Sequence, residues 1–156
     1  MATDGASPTR TTTGESAEVL ASRIFAGYLA LQAIGGIVLW SVLILSPEAR
    51  SWIELLPEHA AVTDSFFVAD AVVVVASATS AWMVWRRSPK AVAVAAFTAG
   101  CLLYPTLFLV MWLASVGTGW FLLATMIPAS TITSFIALHL LRRSYGLTPV
   151  GSDDGR

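Results

Sequence analysis

The chain of 156 residues is 56% hydrophobic and 12% charged, with a mean hydropathy of +0.72 and a formal net charge of −1. Soluble domains are roughly 45–50% apolar and about 25% charged, so this composition excludes an ordinary water-soluble globule and indicates one integral membrane domain. The small net charge gives no reason to expect a nucleic acid partner. The single cysteine, Cys101, excludes an intramolecular disulfide and the dithiol-relay class of membrane oxidoreductases.

The N-terminal segment, residues 1–22, is rich in Thr, Ser and Gly and too poor in apolar residues to fold, so we predict a disordered tail. The first apolar segment follows at 24–45 and has the length of a membrane-spanning helix. Its apolar run is too long for a signal peptide, and "SPEARS" after it offers no convincing small-x-small cleavage site. We therefore expect this segment to be retained as a helix.

The loop at 46–65 has the features of a short helix. Ser46 can cap a helix, Pro47 suits the first helical position, and Pro57 ends the pattern. Between them lies one apolar face, formed by Trp52, Ile53, Leu55 and Leu56. The pattern predicts a short interfacial helix on the outer membrane surface.

Three further apolar segments at 66–85, 91–113 and 120–141 complete a transmembrane domain at 23–143. Each is about 20 to 23 residues long, which at about 1.5 Å per residue matches the roughly 30 Å hydrocarbon core. Segments of this length without period-2 alternation are predicted to be helices, because lipid leaves no other partner for their backbone groups. The predicted fold class is an all-α four-transmembrane-helix bundle, followed by a second disordered tail at 144–156.

The positive charges predict the orientation. They flank the ends of the segments on one side of the membrane, at Arg23, Arg86, Arg87, Lys90, Arg142 and Arg143. Loops rich in Arg and Lys remain in the cytoplasm, so we expect both termini to be cytoplasmic in a multi-pass cell membrane protein. Scarce Lys relative to Arg and abundant Ala and Val are loosely typical of a GC-rich bacterium, which favours a bacterial plasma membrane.

Asp70 is the one formal charge in the first three segments. An unpaired carboxylate costs roughly 2.5–3.5 kcal/mol at the centre of a transmembrane helix and less near its edge, so Asp70 is expected to face the bundle. Residue counting places Thr125 in the same layer, Tyr104 just beneath it and Gln32 near the middle of the first helix. We take Asp70, Tyr104, Thr125 and Gln32 as candidates for ligand binding or proton-linked function.

Two expectations compete for the partner of Asp70. The carboxyl group either bonds Tyr104 or Thr125, or pairs with Arg50 reaching in from the surface helix; we favour the first, because Arg50 can extend to water at little cost. Pro105 and Pro128 are expected to bend their helices and, with Asp70, to frame a cavity in the outer half. The plainer alternative is that Asp70 only serves packing as a hydrogen-bonded residue.

No catalytic residue, metal or cofactor is predicted. The chain contains no phosphate loop, HExxH, GxSxG or paired intramembrane acids. Glu58, His59 and Asp64 are too scattered to specify a metal geometry.

Three functions remain as hypotheses. The first is a binding or accessory protein that holds a lipophilic ligand or a membrane-protein partner without doing chemistry, and it requires the fewest special residues. The second is a proton-linked transporter that uses Asp70, working as a homodimer because four helices enclose little volume. The third is an enzyme acting on a lipid or quinone with Asp70 and Tyr104 as acid and base, which the lack of a nucleophile or second carboxylate argues against.

Overall fold

The computed structural model describes residues 12–51, 53, 55 and 60–146. Within these residues the chain forms six helices, namely α1 (Thr12–Leu45), α2 (Pro47–Ser51), α3 (Ala60–Asp64), α4 (Phe66–Trp85), α5 (Ala91–Val116) and α6 (Trp120–Ser144). Four of these, α1, α4, α5 and α6, are long and apolar enough to cross a membrane. The predicted all-α bundle of four transmembrane helices is confirmed.

The transmembrane helices are longer at some ends than their apolar segments. α1 begins at Thr12, so residues 12–22, predicted to be disordered, instead continue the helix. Glu18 in this extension pairs with Arg143 near the end of α6, and α6 itself runs to Ser144. The prediction considered apolar content alone, whereas "ESAEVLAS" contains good helix formers and gains an ion pair across the bundle.

The outer surface of the bundle is apolar. Large hydrophobic side chains project away from the helix contacts along all four spans, among them Leu31, Ile37, Val68, Val75, Phe97, Leu107, Met111, Ile127 and Phe135. A protein in water would expose no apolar surface of this extent without a partner to cover it. The surface therefore suits a lipid environment, in agreement with the length of the helices.

The interior, in contrast, contains small and hydroxylated side chains. Ser80 of α4 and Thr98 of α5 are fully buried, and their hydroxyl oxygens lie 3.0 Å apart in a hydrogen bond. Small residues allow helix backbones to approach closely, and hydroxyls bond across the contact, which favours association where lipid removes the hydrophobic driving force.

The helices pack in the order of the chain, and the bundle is not fully closed. α1 packs along α4, α4 along α5, and α5 along α6, whereas the contact between α1 and α6 is much less extensive. That contact includes Tyr28, whose hydroxyl donates to the carbonyl of Ala129 at 3.5 Å. We call the end with Arg23, Arg86 and Arg143 the arginine end, and the end with residues 46–65 and 117–119 the loop end.

A short helix stands at the loop end, as predicted, but its surroundings differ from the prediction. The Ala49 N–H donates to the Ser46 side chain at 3.2 Å, which is the expected cap. α2 stops at Ser51, and Ile53 and Leu55 turn into the bundle, where both are buried. Trp52, Leu56 and Pro57 lie outside the described residues.

Leu55 is the anchor of this loop. It is fully buried against Leu109 and Leu123, and its carbonyl accepts a hydrogen bond from Thr118 at 3.1 Å. A Cβ at Gly119, whose φ is +86°, would lie 2.7 Å from Leu55 Cδ2, so glycine there permits the close approach. Leu55 therefore packs between the ends of α5 and α6 and not on the membrane surface, because the gap between these helices buries it more completely.

Candidate functional site

A polar cluster in the middle of the bundle joins three helices. Gln32 Nε2 of α1 donates to Ser77 Oγ of α4 at 2.8 Å, and Thr133 Oγ1 of α6 donates to Gln32 Oε1 at 2.9 Å. Ser77 and Thr133 are fully buried. Both ends of the amide are used, as a polar group away from water requires. We call Gln32, Ser77 and Thr133 the polar floor.

Asp70 is bonded nearer the loop end. Trp40 Nε1 of α1 donates to Asp70 Oδ2 of α4 at 2.8 Å. The indole of Trp40 also packs edge-on against Phe67, with ring centroids 5.0 Å apart, which holds the donor in place. Asp70 Oδ1 has no hydrogen bond partner among the described residues and is not sealed from its surroundings. One oxygen is thus committed to the protein, and the other is available.

A cavity of about 290 Å³ lies between the polar floor and the Trp40–Asp70 pair. Gln32, Asp70 and Thr125 contribute polar groups to its lining, and the remaining wall is mostly apolar, formed by Gly35, Gly36, Leu39, Val73, Val74, Leu102, Phe121, Leu122, Met126 and Ala129. Binding sites for small molecules are typically apolar with a few placed polar groups, and measure roughly 300–1,000 Å³. The cavity therefore has the composition of a ligand site, close to the lower limit of size.

The cavity opens sideways between α1 and α6. Gly35 of α1 and Thr125 of α6 lie on its rim and are exposed, because these two helices separate here. Ile53 covers the cavity from the loop end, and a smaller extension of about 40 Å³ continues past Asp70 toward Leu55. We call it the lateral cavity. A molecule dissolved in the bilayer could enter it without crossing the loop end.

Three of the four predicted site residues line the lateral cavity, and one does not. Asp70, Gln32 and Thr125 lie on its wall, although the Thr125 hydroxyl donates to the carbonyl of Leu122 at 2.8 Å and not to Asp70. Tyr104 is 77% exposed on the outside of α5, so the expectation that it lies just beneath Asp70 as a bonding partner is wrong. Residue counting gave the depth of Tyr104, but the contacts of α5 turn it toward lipid.

Arg50 has a different partner from Asp70. It donates to Asp64, the last residue of α3, at 2.6 Å. The pairing of Arg50 with Asp70 that sequence reasoning considered is absent from the described ion pairs. Arg50 remains at the loop end because Asp64, half exposed there, is a partner that requires no burial of its charge.

Trp40, Ser77 and Thr133 were missed by sequence reasoning. Sequence reasoning did not select Trp40, although it follows Gln32 and Gly36 at spacings of eight and four residues and so shares their helix face. That spacing was an available signal. Ser77 and Thr133 gave none, since hydroxyl residues are common in membrane helices and only packing shows which ones meet Gln32.

The lining of the site combines an apolar space with a few polar groups. It presents an accessible carboxyl oxygen and an amide at opposite ends of an apolar space, and among the described residues no group of three His, Cys, Asp or Glu side chains is placed to hold a metal. The acid and base of the enzyme hypothesis, Asp70 and Tyr104, are not brought together. Comparison with family models, curated proteins and solved structures finds no match.

Proposed function

We propose that the protein binds a lipophilic molecule in the lateral cavity and performs no chemistry on it. The observation that carries the proposal is the accessible Oδ1 of Asp70 beside an apolar space that opens toward the bilayer between α1 and α6. The ligand is an amphiphile whose apolar body fills the space and whose polar group bonds Asp70. Its bound part is small, because the cavity is about 290 Å³.

Asp70 supplies selectivity more than affinity in this proposal. A carboxyl group in an apolar wall favours a ligand with a matching hydrogen-bonding group, since an apolar isostere would leave Oδ1 without a partner. The bond from Trp40 orients the carboxyl group, so little freedom is lost when a ligand binds. The polar floor limits the depth that the ligand reaches.

Filling the cavity provides the test. Gly35 borders the lateral cavity, and a Cβ there would meet no atom within 4 Å, so Gly35→Leu adds a bulky side chain at its rim with no clash at Cβ. Gly100 of α5 is a matched control, because it is also a helical glycine with open space at Cβ and lines none of the cavities described here. Native mass spectrometry of gently extracted protein is expected to show a small molecule retained by the wild type and Gly100→Leu and lost from Gly35→Leu.

Asp70→Asn refines the outcome. It is expected to weaken retention of that molecule while leaving the fold intact, because the amide oxygen still accepts from Trp40. Equal retention by the wild type, Gly35→Leu and Gly100→Leu would contradict binding in the lateral cavity.

Proton-linked transport is the second candidate. Asp70 has a neutral hydrogen bond donor and no described cation beside it, which leaves a carboxyl group able to exchange a proton with a ligand. Transport also needs a route past Gln32, and the polar floor closes that route in this conformation. Protein in liposomes with an internal pH dye distinguishes the two functions: a proton flux coupled to the retained molecule and lost in Asp70→Asn would favour transport over binding alone.

A further inference from the structure

A second apolar groove lies on the outside of the bundle, between α1 and α4 in the half nearer the arginine end. It measures about 520 Å³. Its floor is made of small side chains from both helices: Ala26, Gly27, Ala30, Ala33, Ala78 and Ala81. Trp82 and Trp85 form its wall at the arginine end, and both indoles are more than half exposed. The groove is separate from the lateral cavity, which opens between α1 and α6.

The length of the groove corresponds to one leaflet. It extends along α1 from Ala26 to Ile37, which is about 16 Å at the helical rise of about 1.5 Å per residue. The hydrocarbon of a single leaflet is roughly half of 30 Å. A lipid chain that starts at the arginine end would therefore fill the groove at about the point where it reaches the bilayer midplane.

Two guanidinium groups stand at the entrance. The Arg86 Cζ lies 4.3 Å from the centre of the Trp82 ring, and the Arg23 Cζ lies 5.9 Å from the centre of the Trp85 ring. Neither arginine pairs with a carboxylate in the described part of the chain. A guanidinium that packs against an indole keeps N–H groups at its edge for a phosphate oxygen. The groove thus joins a chain-length apolar channel to an anion-binding entrance.

We propose that this groove is a binding site for an anionic phospholipid of the leaflet at the arginine end, with one acyl chain over Gly27 and the headgroup phosphate on Arg23 and Arg86. Anionic lipids are attracted to basic residues at the membrane surface, and basic pockets between transmembrane helices bind their headgroups. A second copy of the chain fits the groove less well. Two such faces related by an axis along the membrane normal would bring the Arg23 and Arg86 groups of both copies to the same end.

The test compares two lipids with identical chains. The full chain in detergent is mixed with equal amounts of palmitoyl-oleoyl phosphatidylglycerol and palmitoyl-oleoyl phosphatidylcholine, and native mass spectrometry measures the retained adducts of each. The wild type is expected to retain more phosphatidylglycerol than phosphatidylcholine. The double variant Arg23→Gln/Arg86→Gln is expected to lower that preference about tenfold or more. The control, Lys90→Gln with Arg142→Gln, removes the same charge from the same end outside the groove and is expected to keep it.

Gly27→Leu tests the chain part of the site while leaving both arginines in place. A Cβ at Gly27 meets no atom within 4 Å, so Gly27→Leu adds bulk to the groove with no clash at Cβ. It is expected to reduce retention of both lipids, whereas Gly100→Leu does not. Equal retention of the two lipids by the wild type, unchanged preference in the double arginine variant, or unchanged retention in Gly27→Leu would each overturn the proposal. If the wild type instead forms a dimer without bound lipid, and the Gly27→Leu variant is monomeric, the groove binds a second copy of the chain and the proposal is overturned.

Discussion

At the scale of single residues, the Trp40–Asp70 hydrogen bond explains how an acidic side chain is accommodated beside the four valines at 72–75. An indole N–H and a carboxyl group are each costly to bury without a partner, and each supplies what the other lacks. The bond also links α1 to α4 at the loop end, while Gln32 links them again in the middle. Asp70 thus contributes to helix packing with one oxygen and remains available to a ligand with the other.

A double-mutant cycle measures this bond. Asp70→Leu and Trp40→Phe each remove one partner, and we expect a coupling free energy of about 0.6 kcal/mol, with about 1.7 kcal/mol as the upper range for hydrogen bonds within membranes. Unfolding in mixed detergent micelles with increasing dodecyl sulfate gives the stability of all four proteins. Asp70→Asn is the control that retains an acceptor and should resemble the wild type. Additive effects of the two substitutions would mean that the bond contributes nothing to stability.

At the scale of elements, the turn between α4 and α5 contains a residue in an unfavourable conformation. Arg87 has φ +52° and occupies the position after the helix cap where glycine is usual. The Arg87 N–H donates to the Val84 carbonyl and the Ser88 N–H to the Met83 carbonyl, both near 3 Å, which is the paired pattern of a Schellman motif. An arginine in this conformation is strained, and its charge belongs to the cluster that predicts the orientation.

Replacing Arg87 with glycine is expected to stabilise the bundle. Removal of the Cβ relieves the left-handed strain by about 1 kcal/mol. The same micelle unfolding assay measures the gain. Arg87→Ala provides the control, because it removes the charge and the long side chain but keeps the Cβ, and it should show no such gain. If glycine and alanine behave alike, the conformation at Arg87 carries no strain.

At the scale of the whole molecule, the even number of spans places both ends of the described chain on one side of the membrane. Both ends of the described chain lie at the arginine end. There, Arg23 and Arg86 pack on tryptophans and Arg143 pairs with Glu18. At the loop end the Arg50–Asp64 pair leaves no comparable cluster of cations among the described residues. Both termini are therefore still expected in the cytoplasm.

Cysteine labelling tests this orientation. Single cysteines are placed at Glu58 and Ser88 in a Cys101→Ala background and treated with a membrane-impermeant maleimide. We expect Glu58→Cys to react from the outside of intact cells. Ser88→Cys should react only after permeabilisation. Glu58 belongs to the loop end by its place in the chain, and Ser88 lies in the turn between α4 and α5. Labelling of Ser88→Cys in intact cells, with Glu58→Cys protected, would reverse the orientation.

The amino-acid sequence by itself determined that the protein belongs in a lipid environment, its fold class and the approximate bounds of its membrane spans. The reason is that a chain this apolar can satisfy its backbone groups in lipid only as long helices with internal hydrogen bonds. It also pointed to Asp70, Gln32 and Thr125, which all line the lateral cavity, because polar side chains in apolar segments favour positions away from lipid. Only the tertiary structure decided which groups meet. Trp40 takes the place expected of Tyr104, and Leu55 enters the bundle, because the rotation of each helix about its axis depends on contacts with its neighbours. The opening between α1 and α6 likewise follows from how the helices pair, which no single segment encodes.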